Sequence, residues 1–484
     1  MTGIPDPPYR YPGTVAISSV VSAHEDLSPG GSSGEVVTVA GRVMLSRPQG
    51  RLAFAELRDW TGAIQLFALS ATTERFDELT RLSLGDWIGC TGEVVRTKRG
   101  ELSVQVASWT VLARTRHGFG DKWRGVNDLE LRYRQREVDL WANEGVRETF
   151  LLRSKIVSAI RRRLDARGFV EVETPVLQAL PGGANARPFV THFNALHADF
   201  YLRVAPELYL KRLVVGGFER VYELGRDFRN EGLSPRHNPE FTMLEAYQAY
   251  ADYGDMAELV EDLVAGTAME LLGTTEIEYQ GHRVDLAPPW RRASLAEVVS
   301  EVTGVSCDAG TDRDALAANA AVLGVAVEAG WGAGRILYEI YERTTEHELV
   351  GPVHVMDYPV DVSPLVRPHR SLPGVVERMT PIVAGREIAE IYSELCDPDV
   401  QRARLLAQSA ARDAGDDEAM VVDEDFLRAL EHGMPPTGGI GLGIDRLVML
   451  LADAPAIREV LLFPALRPER RLDEDDASQE PDGS

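Results

Sequence analysis

Between Arg220 and Phe241 the chain concentrates Arg229, Glu231, Arg236 and His237 within nine residues. Guanidinium groups fork onto phosphate or carboxylate oxygens, a carboxylate can hold a base amino group, and an imidazole adds positive charge. That set suits a nucleoside triphosphate; a solvated, charged turn is the alternative. A second group, Arg386, Glu387, Glu390 and Glu394, lies between Gly385 and Leu395, where strand alternation leaves some carboxylates on each face. A third is the run Gly438 to Leu450, four glycines followed by Asp445 and Arg446. A glycine-rich strand before a helix could by itself be any phosphate loop.

The segments around these groups must position them. Residues 218–224 are aromatic and β-branched, Gly232 to Pro239 is dense in turn formers, and Phe241 to Tyr250 resumes an apolar pattern; this predicts a hairpin with a long basic tip. Residues 147–167 place Phe150, Leu151, Ile156, Ile160 and Leu164 at helical spacing. Gly168 to Pro175 alternates like a strand and stops at proline. Pro181 to Pro188 is a glycine-bearing loop whose backbone can approach a ligand closely. Residues 252–345 show helical, Ala-rich patterns, and helices are also predicted from Asp397 to Ala411 and up to His432.

Upstream, the first 34 residues are rich in Pro, Gly and Ser and predict a loose leader. Five short strands then follow: Val36 to Met44, Leu52 to Leu57, Ala63 to Leu69, Trp87 to Arg96 and Glu101 to Leu112, with a helix near Thr72 to Leu82. This spacing suggests an OB-fold, a Greek-key barrel that binds single-stranded nucleic acid on aromatic and basic side chains. Arg42, Phe54 and Gln65 are the candidates, although the strand pattern equally allows Phe54 in the core.

A length of 484 residues predicts two or three domains. The net charge of −24 argues against general nucleic-acid affinity, yet between Glu35 and Arg124 there are 13 Lys or Arg against 10 Asp or Glu. A locally basic module on an acidic chain fits selective capture of a polyanion. No run approaches the ~20 apolar residues of a membrane span, and the N-terminus lacks a secretory h-region; a cytoplasmic protein is expected. Cys90, Cys307 and Cys396 form neither a disulfide framework nor a zinc spacing.

Phe228-Arg-Asn-Glu-Gly232 followed by Arg236-His-Asn-Pro-Glu-Phe241 resembles motif 2 of the class II aminoacyl-tRNA synthetases, in the wording of the lysyl enzymes. The helix and strand from 147 to 175 resemble motif 1, and Gly438 to Leu450 resembles motif 3. Leu131 to Arg136, Pro181 to Pro188 and Tyr201 to Lys211 match the same enzymes, and Gly41 to Phe67 looks like the anticodon barrel of the aspartyl, asparaginyl and lysyl subgroup. The resemblance covers roughly 36–468.

It implies an α+β protein: a flexible leader (1–34), an OB-fold anticodon-binding domain (35–118), a connector (119–145), a class II catalytic domain with an antiparallel sheet flanked by helices (146–468) and an acidic tail (469–484). The implied reaction activates lysine with ATP and Mg²⁺ and transfers it to tRNA(Lys), in a homodimer joined through motif 1. By resemblance Arg229 and Arg446 are catalytic, and Glu231, His237, Asn238, Phe241 and Glu387 join them on ATP. Gly183 and Glu207 take the α-amine, Glu245 shapes the pocket, Tyr247 and Glu394 take the ε-amine, and Glu390 and Tyr392 complete the amino-acid site with Arg229. Arg42, Phe54 and Gln65 would meet the anticodon, and Glu387 and Glu394 are the candidate metal carboxylates.

Two positions depart from the pattern. Thr380 stands where lysyl enzymes carry an acidic residue that helps hold magnesium, and Glu390 where they commonly carry a small or amide residue. Either Glu390 supplies the charge that Thr380 lacks, or it points outward on an alternating strand. Two further readings stay open: a paralogue activating lysine or a related diamine for another acceptor, and a regulatory homologue without catalysis.

Overall fold

The computed structural model describes residues 8–117, 126–143, 145–308, 310–363, 366–413 and 420–468. The chain divides between residues 144 and 145 into two compact units.

The first unit is built on a closed five-stranded barrel: β1 (Ser32–Gln49), β2 (Leu52–Arg58), β3 (Ala63–Leu69), β4 (Trp87–Arg96) and β5 (Leu102–Ala113), in the order β1-β2-β3-β5-β4. All pairs are antiparallel except β3 with β5. On β2 and β3 the period-two pattern turns Ala53, Ala55, Leu57, Ile64, Leu66 and Ala68 inward. The expected helix between β3 and β4 shrinks to Phe76–Leu79, which sends Phe76 and Leu79 into the core.

The leader differs from its expectation. It carries a helix, Ile17–Ala23, whose Ile17 and Val20 are buried in the barrel core, while the Ile17 N–H donates to Asp59 Oδ2 at 2.9 Å. Two apolar side chains reaching a hydrophobic barrel outweigh the loop-forming composition around them. The connector holds two short helices, Leu129–Arg134 and Arg136–Ala142, tied by Arg132 and Arg136 to the buried Asp139. Residues 119–125 and 144 of the connector, residue 118 before it, and the acidic tail from 469 lie outside the described residues.

The second unit is organised by a nine-stranded sheet. Its main path runs through strands Arg291–Ser294, Val353–Pro359, Val375–Val383, Ala389–Ser393, Thr437–Gly443, Glu240–Ala249, Arg220–Phe228 and Val170–Glu171, with Arg386–Glu387 pairing to the side. The central pairs are antiparallel and only the two outermost are parallel. Leu244, Ala246, Ala389, Ile391, Ile440 and Leu442 turn to one face and share a core with helices Val146–Ala166, Tyr253–Leu272 and Ile444–Leu451. The intervening residues turn to the opposite face and build the site.

The hairpin appears in full register, from Arg220 opposite Gln248 to Phe228 opposite Glu240. Motif 1 gives its helix, but the following strand is only Val170–Glu171. Two long strands, Val353–Pro359 and Val375–Val383, were not foreseen; they bring Arg378 and Thr380 beside Ala389–Ser393.

Candidate active site

Three neighbouring strands supply the floor. In register, Glu245 lies opposite Gly441, which lies opposite Glu390; one rung along, Tyr247, Gly439 and Tyr392 align in the same way. Glycine in the middle strand leaves a trough between larger side chains on either side. A Cβ on Gly439 would sit 2.0 Å from Glu394 Oε1 and 2.8 Å from the Tyr247 ring, so any other residue there would displace both. A cavity of about 260 Å³ opens over this trough. It is lined by Gly183, Glu207, Arg229, Glu231, His237, Asn238, Phe241, Glu245, Tyr247, Glu387, Glu390, Tyr392 and Arg446, which brings together every predicted substrate residue except Glu394.

At one end the cavity is cationic. Arg229 lies over the Phe241 ring, 5.1 Å from its centroid, and its buried Nε has no hydrogen-bond partner. Among the described residues Arg229 makes no ion pair, so a cation is held ready for an anion from outside. Arg446 Nη1 donates to Glu387 Oε1 at 2.8 Å and to the Glu387 carbonyl at 2.9 Å. His237 is fixed by Ser234 Oγ, 2.9 Å from Nδ1; burial, then the Arg446 charge, hold its pKa below the usual value. Asn238 donates to the Glu240 carbonyl at 2.6 Å and accepts from the Ala465 N–H at 3.1 Å. Its amide therefore shapes the loop rather than offering both groups to a ligand. Glu346 was not foreseen; burial and then the charge of Glu387 raise its pKa to about 7.

At the other end carboxylates predominate. Tyr247 Oη donates to Glu245 Oε2 at 3.0 Å, and burial raises the Glu245 carboxyl well above its ordinary range. Glu207 and Glu394 each meet Lys211 Nζ at 2.6 Å. Burial lifts Glu394 to about 7 against the opposing pull of Lys211. Gly183 adopts φ +92°, and a Cβ there would press on Ala205 and Glu207 at 3.2 and 3.4 Å, which accounts for glycine in that loop.

The two departures from the pattern meet each other. Arg378 donates through Nε to Glu390 Oε2 at 2.8 Å and through Nη2 to Oε1, while Thr380 Oγ1 donates to both oxygens at 3.2 Å. Glu390 thus faces the cavity and not outward, and its charge is matched by Arg378. That leaves little for a cation, so the idea that Glu390 replaces a lost metal ligand is not carried forward.

The pairing of Glu387 with Glu394 as metal carboxylates is also set aside. Glu394 gives one oxygen to the Lys211 ammonium and lies at the margin of the cavity, over Gly439 beside the Tyr247 ring, whereas Glu387 lines the cationic end and is paired with Arg446. Among the described residues no group of three or more His, Cys, Asp or Glu could hold a metal. Glu387 differs from Glu390 in having a side chain 37% exposed and held by a single side-chain bond from Arg446, which a phosphate could draw away; it is the protein carboxylate that would fit Mg²⁺ carried largely by triphosphate oxygens.

On the barrel, Phe54 and Phe67 are cross-strand partners stacked at 5.3 Å with 17° between their planes. They lie on the half-exposed outer side of β2 and β3, so Phe54 is not a core residue. Gln65 donates to Ser103 Oγ at 2.8 Å. Arg42 packs against the edge-to-face pair Trp87 and Trp141, 4.8 and 5.0 Å from their centroids, and donates to the Gly85 carbonyl.

Comparison with known proteins agrees with this geometry. Residues 128–467 match the family described as tRNA synthetases class II (D, K and N), and residues 37–112 match the OB-fold nucleic acid binding domain. The chain belongs to the class II tRNA synthetases. Among its relatives, lysine–tRNA ligase of Synechococcus sp. (strain CC9605) is 55% identical over 458 residues, covering 93% of this chain and 91% of the relative. Lysine–tRNA ligase of Prochlorococcus marinus (strain MIT 9303) is 53% identical over 472 residues, covering 95% and 93%. In this class II synthetase the sequence had singled out most of the cavity wall. It had not singled out Lys211, Arg378 or the specific role of Gly439. Lys211 left a signal, four residues after Glu207 on a helix where such pairs meet; Arg378 left none, since its partner lies across a strand pair.

Proposed function

We propose that this chain is a lysine–tRNA ligase, activating lysine with ATP and passing the lysyl group to tRNA(Lys). The observation that carries the choice of amino acid is the set of carboxylates at one end: Glu207 and Glu394 share one ammonium, Lys211, and Glu245, held by Tyr247 Oη, lies close enough to feel its charge. Burial disfavours the ionised forms of Glu245 and Glu394 in the empty site, and the two amines of lysine would stabilise them. A substrate lacking the second amine leaves a buried carboxylate unpaired, a far larger penalty than an apolar pocket imposes on a missing methylene.

In this reading the lysine carboxylate lies against Arg229 and attacks the α-phosphate in line, breaking the α–β anhydride so that pyrophosphate leaves and lysyl-adenylate forms; the terminal ribose hydroxyl of tRNA then takes the lysyl group and AMP leaves. Arg229 bridges the two anions, and its charge counts for more as negative charge accumulates in the transition state. Phe241 stacks on adenine, Glu231 and the His237 loop hold the nucleotide, and Arg446 takes the γ-phosphate end after exchanging Glu387 for phosphate. Glu387 would be the protein carboxylate for a Mg²⁺ entering with ATP, which would supply charge neutralisation at the phosphates. The protein otherwise contributes positioning.

The Phe54–Phe67 pair would stack anticodon bases, with Gln65 and Arg42 beside it. Val170, Leu177, Val190, Phe193 and Leu196 are exposed apolar residues in and after motif 1, which supports a homodimer through this face. No described helix is long and apolar enough to cross a membrane, and a tRNA substrate supports a cytoplasmic reaction.

ATP–pyrophosphate exchange with a panel of amino acids tests the reading. Exchange with lysine at least about 10²-fold above norleucine is expected for a pocket that pairs buried charges, while ornithine, shorter by one methylene, should fall roughly 10-fold or more below lysine. Preference for an amino acid without a side-chain amine would overturn it.

A further inference from the structure

Lys211 belongs to no expected role, yet it joins two residues of the proposed lysine pocket. It lies one turn beyond Glu207 on helix Glu207–Val215, while Glu394 follows strand Ala389–Ser393. Its Nζ is 2.6 Å from Glu207 Oε1 and 2.6 Å from Glu394 Oε2, and it lies 5.9 Å from the centroid of the Tyr247 ring. Lys211 and Glu394 side chains are each only 6% exposed. Each carboxylate gives one oxygen to Lys211. Among the described residues, Glu207 Oε2 and Glu394 Oε1 make no hydrogen bond or ion pair.

We propose that Lys211 is a positioning and specificity-determining residue: by cross-linking Glu207 to Glu394 it fixes the second oxygen of each carboxylate to receive one amine of a diamino acid. This rests on the lysine reading above. Two carboxylates from separate elements would otherwise repel each other, and long side chains would retain rotamer freedom that binding must remove. An ammonium with three donors can hold both at once. The packing agrees: the Gly439 backbone lies against Glu394 Oε1 with no room for a Cβ, so Glu394 is held on one side by Lys211 and on the other by a bare strand.

The alternative is an ordinary structural ion pair, and kinetics separate the two. Lys211→Met, which keeps the stem and removes the charge, is expected to raise the KM for lysine in pyrophosphate exchange by on the order of 10²-fold, with the KM for ATP within about twofold. Lys211→Arg should recover part of the loss, and preference for lysine over norleucine should fall in Lys211→Met. A KM for lysine within about threefold of the parent, or equal rises for lysine and ATP, would overturn the proposal. Should Lys211→Met fail to fold, Lys211→Met/Glu394→Gln removes the pair as a unit and is compared with Glu394→Gln alone. A further rise in lysine KM in the double variant supports the proposal, because Glu207 also loses its anchor, and a lysine KM within about twofold of Glu394→Gln overturns the cross-link. If the parent prefers another amino acid, the lysine reading fails separately, and the same variants measure Lys211 with that substrate.

Discussion

Glu390→Gln should destabilise the catalytic unit by about 3–5 kcal/mol at most, because it removes one partner of a largely buried pair, 15% and 20% exposed, and leaves the other charged. In the parent, Arg378 spends Nε and Nη2 on the two Glu390 oxygens and Nη1 on Ser363 Oγ at 2.8 Å, with its guanidinium 4.1 Å from the Tyr358 ring centroid. After the substitution the cation keeps one hydroxyl, one ring and at most one amide oxygen. A desolvated cation–π contact contributes about 2 kcal/mol and cannot replace a bidentate carboxylate. In the unit from Gly145 to Ser484 the loss corresponds to a fall of roughly 4–7 °C in thermal midpoint, read by circular dichroism. Arg378→Met/Glu390→Leu, which removes both charges, should regain most of it. An unchanged midpoint in Glu390→Gln, together with a raised Mg²⁺ requirement for pyrophosphate exchange, would refute the pairing and return Glu390 to the metal.

Arg229→Ala should lower lysine-dependent exchange by on the order of 10²–10³ while the thermal midpoint stays within a few degrees, since Arg229 has no protein ion pair to lose; exchange within about threefold of the parent would contradict its role. Phe54→Ala should weaken tRNA charging by about 1–3 kcal/mol and spare exchange; a parallel fall in both would make Phe54 structural. Lysine binding should tighten by about tenfold between pH 6 and pH 8, because Glu394 has its pKa raised to about 7 and must be ionised. The sign for stability is opposite: a carboxyl whose folded pKa exceeds its unfolded value favours folding in acid and loses that contribution as pH rises through about 7. Calorimetry at pH 6, 7 and 8 checks the affinity, and a flat profile would contradict the assignment.

Much of the site was legible because sheet residues repeat with period two. Glu390, Tyr392 and Glu394, like Glu245 and Tyr247, are spaced to share a face, and the glycines of 438–443 lie between them. What sequence could not supply was pairing across strands. Thr380 and Glu390 each looked like an isolated departure from a pattern, and only the strand Val375–Val383, unforeseen from its composition, brings Arg378 and Thr380 onto the same carboxylate. The leader was misjudged for a related reason. Pro, Gly and Ser dominate its composition, but Ile17 and Val20 suffice to anchor a helix once a barrel core is available. The site's electrostatics are likewise tertiary: burial raises Glu245 and Glu394, and no local signal predicts it.

The central claim is that the catalytic cavity and the barrel serve one reaction, the esterification of tRNA(Lys) by lysine. The most direct measurement supplies purified protein with ATP, Mg²⁺, labelled lysine and a tRNA(Lys) transcript and follows acid-precipitable label, with transcripts altered at the anticodon as controls. The account predicts ATP-dependent charging of the parent transcript and charging weakened by on the order of 10-fold or more when the anticodon bases are changed. Lysine-dependent pyrophosphate exchange without any charging of tRNA would contradict it and point to a different acceptor.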